Sequence, residues 1–181
     1  DVMVYLMTGF LDSGKTQFLT FTLEQDYFQI QGKTLLILCE EGEEEYDPKE
    51  MLKYGVVIEK VEDKEDLTEA WLEEMNRKHK PERVVVEYNG MWPVSDFEKL
   101  ALPAGWKIEQ KIATVDASTF QMYLTNLKPL FVEMVKGAEL VLFNRCEDRG
   151  PLAGYRRSVK VVSPQAEVIF EDENGEVDNI F

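Results

Sequence analysis

The sequence predicts an α/β fold of three layers, a mostly parallel sheet with helices on both faces, and two observations carry that prediction. Short apolar runs of strand length, among them Thr34 to Cys39 and Arg83 to Glu87, alternate with stretches whose apolar residues recur at helical spacing. Strands that are apolar throughout belong in a sheet covered on both sides, and alternation with helices makes that sheet parallel. The second observation is a glycine turn between the first run and the first helical stretch, where a sheet of this kind binds its ligand.

Val2 to Met7 is a short apolar run ending in Thr8-Gly9, which fits a buried strand. A helix is expected from about Gly14, with Phe18, Leu19 and Leu23 inward, followed by a strand over Thr34 to Cys39. After an acidic loop from Glu40 to Asp47, Asp47-Pro48 offers a helix start, acid at the cap and proline at the first helical position. Gly55 to Val61 reads as a third strand. Lys64 to Lys80 reads as a helix with Leu67, Trp71, Leu72 and Met75 inward, closed by a solvated His79. Arg83 to Glu87 is a strand, Asn89-Gly90 a turn, Val94 to Leu100 a short helix and Lys107 to Asp116 a strand. Ala117 to Lys136 is mostly helical, Glu139 to Phe143 a strand, a short helix begins near Arg156, and Ala166 to Phe170 is the last core strand. The Asn174-Gly175 pair predicts that this strand folds back as a hairpin.

A length of 181 residues predicts one domain with one substantial core. The 35 acidic against 20 basic residues give a net charge of -15, a field that disfavours nucleic acid and anionic lipid as partners. A bound phosphate must therefore be held locally, by backbone amides, a lysine and a divalent cation. No apolar run approaches the ~20 residues that span a bilayer, and the N-terminal residues carry no secretion signal; a cytoplasmic protein is expected. The two cysteines, Cys39 and Cys146, form no disulfide framework or four-ligand zinc pattern and are expected as buried thiols. The start at Asp1 and the end at Phe181 raise the expectation that the natural product is longer.

Gly9-Phe10-Leu11-Asp12-Ser13-Gly14-Lys15-Thr16 has the spacing of a phosphate-binding P-loop, between a strand and a helix as that motif requires. Glycines permit the tight turn, the amides of Asp12, Ser13, Gly14, Lys15, Thr16 and Gln17 face the phosphates, and the helix N-terminus adds partial positive charge. Lys15 reaches the β- and γ-phosphates and the Thr16 hydroxyl ligates Mg²⁺. Asp12 is unusual, since a carboxylate in this loop repels the ligand unless it turns away or meets a cation.

With that loop in place, the chain resembles the CobW-like GTPases, relatives of the HypB and UreG metallochaperones, over about residues 2 to 170. Thr8 to Thr16 is similar to the family's TGFLGSGKT. Cys39 to Asp47 aligns without gaps with its NEFGExGxD loop, keeping Glu40, Gly42, Glu43 and Asp47. Val84 to Gly90 fits its hydrophobic strand followed by ExxG, Thr114 to Ala117 its VDA step, and Asn144-Arg145-Cys146-Glu147 stands where NKxD belongs.

The resemblance implies a Mg²⁺-dependent GTP-binding protein that hydrolyses GTP slowly and so controls binding to a metal ion or a client metalloprotein, working as a homodimer. It implies that Glu87 orients a Mg²⁺-bound water as a Walker-B acid does. Gly90 offers an amide to the γ-phosphate, and Glu40, Glu43 and Asp47 face Mg²⁺, the attacking water or a second, transition metal. Asn144, Arg145 and Glu147 are implied as the base-binding loop. Two departures stand out: no cysteine lies between Tyr46 and Arg83, where the family carries a CxCC motif, and Glu147 replaces the aspartate that reads guanine. Guanine and adenine thus both remain open. An ATP-dependent small-molecule kinase or ATPase, with Arg145, Arg149, Arg156 and Arg157 as a lid, is the alternative, and an interaction module with negligible hydrolysis is a third.

Overall fold

The computed structural model describes residues 1–9, 32–39, 47–117, 119–144, 146, 153–172 and 175–176. The helix expected from Gly14, the phosphate-loop residues Asp12, Ser13, Gly14, Lys15, Thr16 and Gln17, the loop residues Glu40 and Glu43, and Arg145 and Glu147 lie outside the described residues.

Among the described residues eight strands form one sheet: β1 Val2–Gly9, β2 Thr34–Leu38, β3 Val56–Lys60, β4 Arg83–Glu87, β5 Trp106–Asp116, β6 Leu140–Asn144, β7 Glu167–Asp172 and β8 Gly175–Glu176. Their order is β3-β2-β4-β1-β5-β6-β7-β8. The first seven are parallel and β8 returns antiparallel on β7. The expected fold is therefore the one observed. The return pairs Asp172 with Gly175, so Gly175 belongs to the strand and not to the turn.

The described helices are α1 Pro48–Lys53, α2 Glu69–His79, α3 Val94–Glu98, α4 Phe120–Asn126, α5 Lys128–Val135 and α6 Ala153–Val162, with a 3₁₀ turn at Lys64–Asp66. Asp47 caps α1 by accepting from the Lys49 amide at 3.0 Å, with Pro48 at the first position. Gly55, at φ 74°, turns the chain out of α1 into β3. None of these helices is long and apolar enough to cross a membrane.

Side-chain alternation along the strands divides the core between two faces. Val4, Leu6, Leu35, Ile37, Val84 and Val86 pack with Leu72 and Met75 of α2 and Val94 and Phe97 of α3. Ala113, Val115, Val141, Phe143 and Val168 continue this face against Phe131 of α5 and Val159 of α6. Met7, Leu36, Leu38, Val85 and Ile112 face the other way, with Met51 of α1. Right-handed crossovers explain the division: the step from β2 to β3 runs toward one edge of the sheet, and every step from β3 to β7 runs toward the other.

Three local expectations change. The helix expected over Lys64 to Lys80 breaks at Leu67-Thr68, because the Thr68 hydroxyl accepts the Trp71 amide at 3.1 Å and begins a new helix there. Ala117 to Lys136 divides at Leu127, since Pro129 lacks the N–H that a continuous helix needs and sits in the first turn of α5. His79 is not in solvent: its side chain is 12% exposed, with Nε2 2.9 Å from Glu59 Oε1.

Candidate nucleotide site

Every parallel strand ends at the same edge of the sheet, and polar residues collect there. Thr8, Glu87, Thr114 and Asp116 are buried, and they come from the C-terminal halves of β1, β4 and β5. The centre of this edge is a topological switch point. From β1 the next strand, β2, lies to one side, and from β4 the next strand, β5, lies to the other. In open α/β sheets that arrangement leaves a crevice beyond the two strand ends.

β1 delivers Gly9 to the crevice at φ 147°, a backbone conformation open to glycine and strained for residues with a Cβ. The strand end is pinned to β5: Thr114 Oγ1 donates to the Thr8 carbonyl at 3.3 Å, and Thr8 Oγ1 to the Ile112 carbonyl at 3.4 Å. In register, Gly9 stands beside Thr114. The first glycine of the phosphate motif is thus anchored on both its residue and its neighbour.

Glu87 ends β4 between β1 and β2, opposite Met7 on one side and Leu38 on the other. Its carbonyl accepts the Cys39 amide at 2.9 Å, and the next residue, Tyr88, donates its amide to the Met7 carbonyl at 2.8 Å. The residue is 3% exposed. By alternation it shares a face with Val85, and Thr114 and Asp116 share that same face with Ile112. A buried carboxylate oxygen is the hard donor that Mg²⁺ accepts, and this cation is usually held by one or two carboxylates together with substrate phosphates. Among the described residues no three His, Cys, Asp or Glu side chains group as a metal cage.

The turn after Glu87 is built by side chains. Tyr88 buries its ring edge-on against Trp92 and Phe97 and donates its hydroxyl to the Pro93 carbonyl at 2.9 Å. Burial first, and then the nearby Asp96, Cys39 and Glu133, raise the Tyr88 pKa, so the phenol keeps the proton it donates. Asn89 accepts the Met91 amide on Oδ1 at 2.8 Å and donates Nδ2 to the Cys39 carbonyl at 3.3 Å. Gly90 follows, buried, in the turn.

On the far side of β1, Asp116 pairs in register with Asn144 of β6, and the Asn144 carbonyl accepts the Ala117 amide at 2.9 Å. Cys146 is buried and its thiol donates to the Phe143 carbonyl at 3.5 Å; Cys39 is buried as well. Of the residues singled out in the sequence, the fold thus brings Gly9, Glu87, Gly90 and Asn144 to one edge. Thr8, Thr114 and Asn89, which hold that edge together, carried no signal of their own beyond the TGFLGSGKT-like, VDA and ExxG segments that contain them.

A family model described as CobW/HypB/UreG, nucleotide-binding domain, matches residues 3–170. Among solved structures, the hydrogenase maturation factor HypB from Archaeoglobus fulgidus is similar with a TM-score of 0.66 at 17% identity, over 96% of this chain and 82% of that one. The Zn(II)-bound YjiA GTPase from E. coli is similar at 0.68 and 22% identity, over 98% of this chain, which spans 59% of the YjiA chain. HypB from Helicobacter pylori in complex with nickel is similar at 0.57 and 11% identity, over 96% of this chain and 80% of that one. At these identities the likeness is one of fold. No curated protein matches the chain.

Proposed function

Because the chain belongs to the CobW/HypB/UreG family of nucleotide-binding domains, we propose that it binds GTP with Mg²⁺ beyond the end of β1 and hydrolyses it slowly, switching segments 40–47 and 87–90 between forms that differ in affinity for a metal ion or a client protein. The observation that carries this reading is the buried Glu87, fixed by backbone bonds to both β1 and β2, next to the strand that leads into Gly9 to Thr16.

In this reading the amides of Asp12, Ser13, Gly14, Lys15, Thr16 and Gln17 hold the phosphates, Lys15 reaches the β- and γ-phosphates, and the Gly90 amide senses the γ-phosphate. Thr16 and Glu87, with Glu40, hold the Mg²⁺, which when bound neutralises charge developing on the phosphate oxygens. Glu87 and Glu40 orient the attacking water. Asn144, Arg145 and Glu147 receive the base, with the Arg145 guanidinium stacked on its face and Glu147 accepting from guanine. The transported metal is cargo, presented to Glu40 and Glu43; the nickel of one HypB and the zinc of YjiA support a transition metal in that role. We extend the proposal to a single cytoplasmic domain acting as a homodimer.

Multiple-turnover phosphate release, with isothermal titration of GTP and ATP in the presence of Mg²⁺, tests the reading. Wild type is expected to bind and turn over GTP in preference to ATP. Lys15→Ala removes binding, while Glu87→Gln lowers kcat by about a hundredfold and leaves GTP affinity within a few fold. A wild-type chain that binds no GTP sinks the proposal, and faster turnover of ATP overturns the choice of guanine.

A further inference from the structure

We propose that Asn89 is a positioning residue that locks the turn carrying Gly90 to the chain entering the 40–47 loop, so that the two segments respond to nucleotide together. The inference rests on the GTPase reading above and deepens it.

Three hydrogen bonds run as a ladder across the strand ends. Tyr88 donates its amide to the Met7 carbonyl of β1, and the Cys39 amide donates to the Glu87 carbonyl of β4. The third is a side-chain bond, Asn89 Nδ2 to the Cys39 carbonyl at 3.3 Å. β2 ends at Leu38, so the Cys39 carbonyl lies past the strand, in a residue 1% exposed. A buried carbonyl needs a donor, and Asn89 supplies one. The amide orientation is fixed by its surroundings, because Oδ1 faces a donor, the Met91 amide at 2.8 Å, while Nδ2 faces an acceptor.

That geometry makes one side chain bridge the two segments. Its Oδ1 shapes the turn around Gly90, and its Nδ2 grips the last described residue before the acidic loop. Movement of Gly90 toward or away from a γ-phosphate is therefore transmitted to residue 39 without passing through the sheet. Tyr88 holds the other side of the turn still through its ring contacts and its bond to the Pro93 carbonyl, so displacement of the turn is directed at the Asn89 contact. A side-chain contact that joins two segments, beside the backbone bond from the Cys39 amide to the Glu87 carbonyl, is the kind of physical link through which coupling between them is carried.

The test uses the whole chain and compares Asn89→Asp with Asn89→Ser. The aspartate keeps the acceptor for the Met91 amide but presents an oxygen to the Cys39 carbonyl. The serine keeps an acceptor for the turn and is too short to bridge. Hydrogen exchange is followed at 40–47 and 88–92 with GDP and with a non-hydrolysable GTP analogue. In wild type both segments are expected to gain protection with the analogue. In both variants protection at 88–92 persists, the difference at 40–47 disappears, kcat falls about tenfold, and KM stays within about twofold. Variants that protect both segments as wild type does overturn the link alone. A wild type that binds the analogue without protecting either segment overturns the switch reading and the link with it. Thermal midpoints verify that each variant is folded, and agreement between the two variants separates lost bridging from lost stability.

Discussion

At the scale of single residues, Arg83 and Glu59 both find their partners in distant parts of the chain. Arg83 is 7% exposed and donates Nε and Nη2 to the Thr34 hydroxyl at 3.3 and 3.0 Å; burial lowers its pKa, yet a guanidinium stays charged in proteins. Glu59 is the clearer case for titration. Burial pushes its carboxyl upward, but hydrogen bonds from His79 and Lys78, and the charges of both, outweigh that and leave its pKa below the ordinary value. A carboxyl with a lowered folded-state pKa stabilises the fold fully above its unfolded pKa and loses that contribution as pH falls through the folded value. Glu59→Gln should therefore cost about 1 kcal/mol near pH 6, and the gap to wild type should close below about pH 4. Urea midpoints at a series of pH values measure this; a gap that persists unchanged to pH 3 would count against the ion pair. Nothing in the sequence pointed to Glu59, because its partners lie nineteen and twenty residues on and meet it only when α2 folds back on β3.

At the scale of elements, strands were more legible than helix boundaries, for a physical reason. A fully buried parallel strand is an unbroken apolar run, and Arg83–Glu87 falls on the residues expected of it. A helix end is decided by local competition for backbone groups, which periodicity does not register. At α2 that competition is visible at both ends. Thr68 caps the N-terminus through its hydroxyl, and the C-terminus closes on Lys80 in the left-handed region at φ 47°, directly before Pro81. Pro81 ends the helix, yet lysine is a poor residue for that conformation. Lys80→Gly should gain about 0.5 to 1 kcal/mol, and Thr68→Ala should lose about 1 kcal/mol. Chemical denaturation reads both; a glycine that destabilises would mean that the Lys80 side chain contributes more than its backbone strain costs.

At the scale of the molecule, the sequence contained the order of the elements but not which strands lie side by side. That β1 lies between β4 and β5 is what joins Gly9 to Glu87 on one flank and to Thr114 on the other, and no pattern within either run encodes it. The ends of the ExxG segment, Glu87 and Gly90, were readable because they lie at short spacing after an apolar run; the Asn89 bond was not, because it exists only once Cys39 is beside it. Charge was legible and has a consequence for function. A net charge of -15 repels a nucleoside triphosphate at long range, whereas in the proposed site the amides and Lys15 would attract it only within a few ångströms. Salt screens the long-range part first, since the Debye length shortens from ~30 Å at 0.01 M to ~8 Å at 0.15 M. The association rate of a fluorescent GTP analogue should thus rise, by about two- to fivefold, as ionic strength is raised across that range, while the dissociation rate changes less. Stopped-flow mixing measures both. An association rate that falls with salt would mean that the local field of the site reaches farther than the acidic surface around it, and that the phosphate is steered in and not merely held.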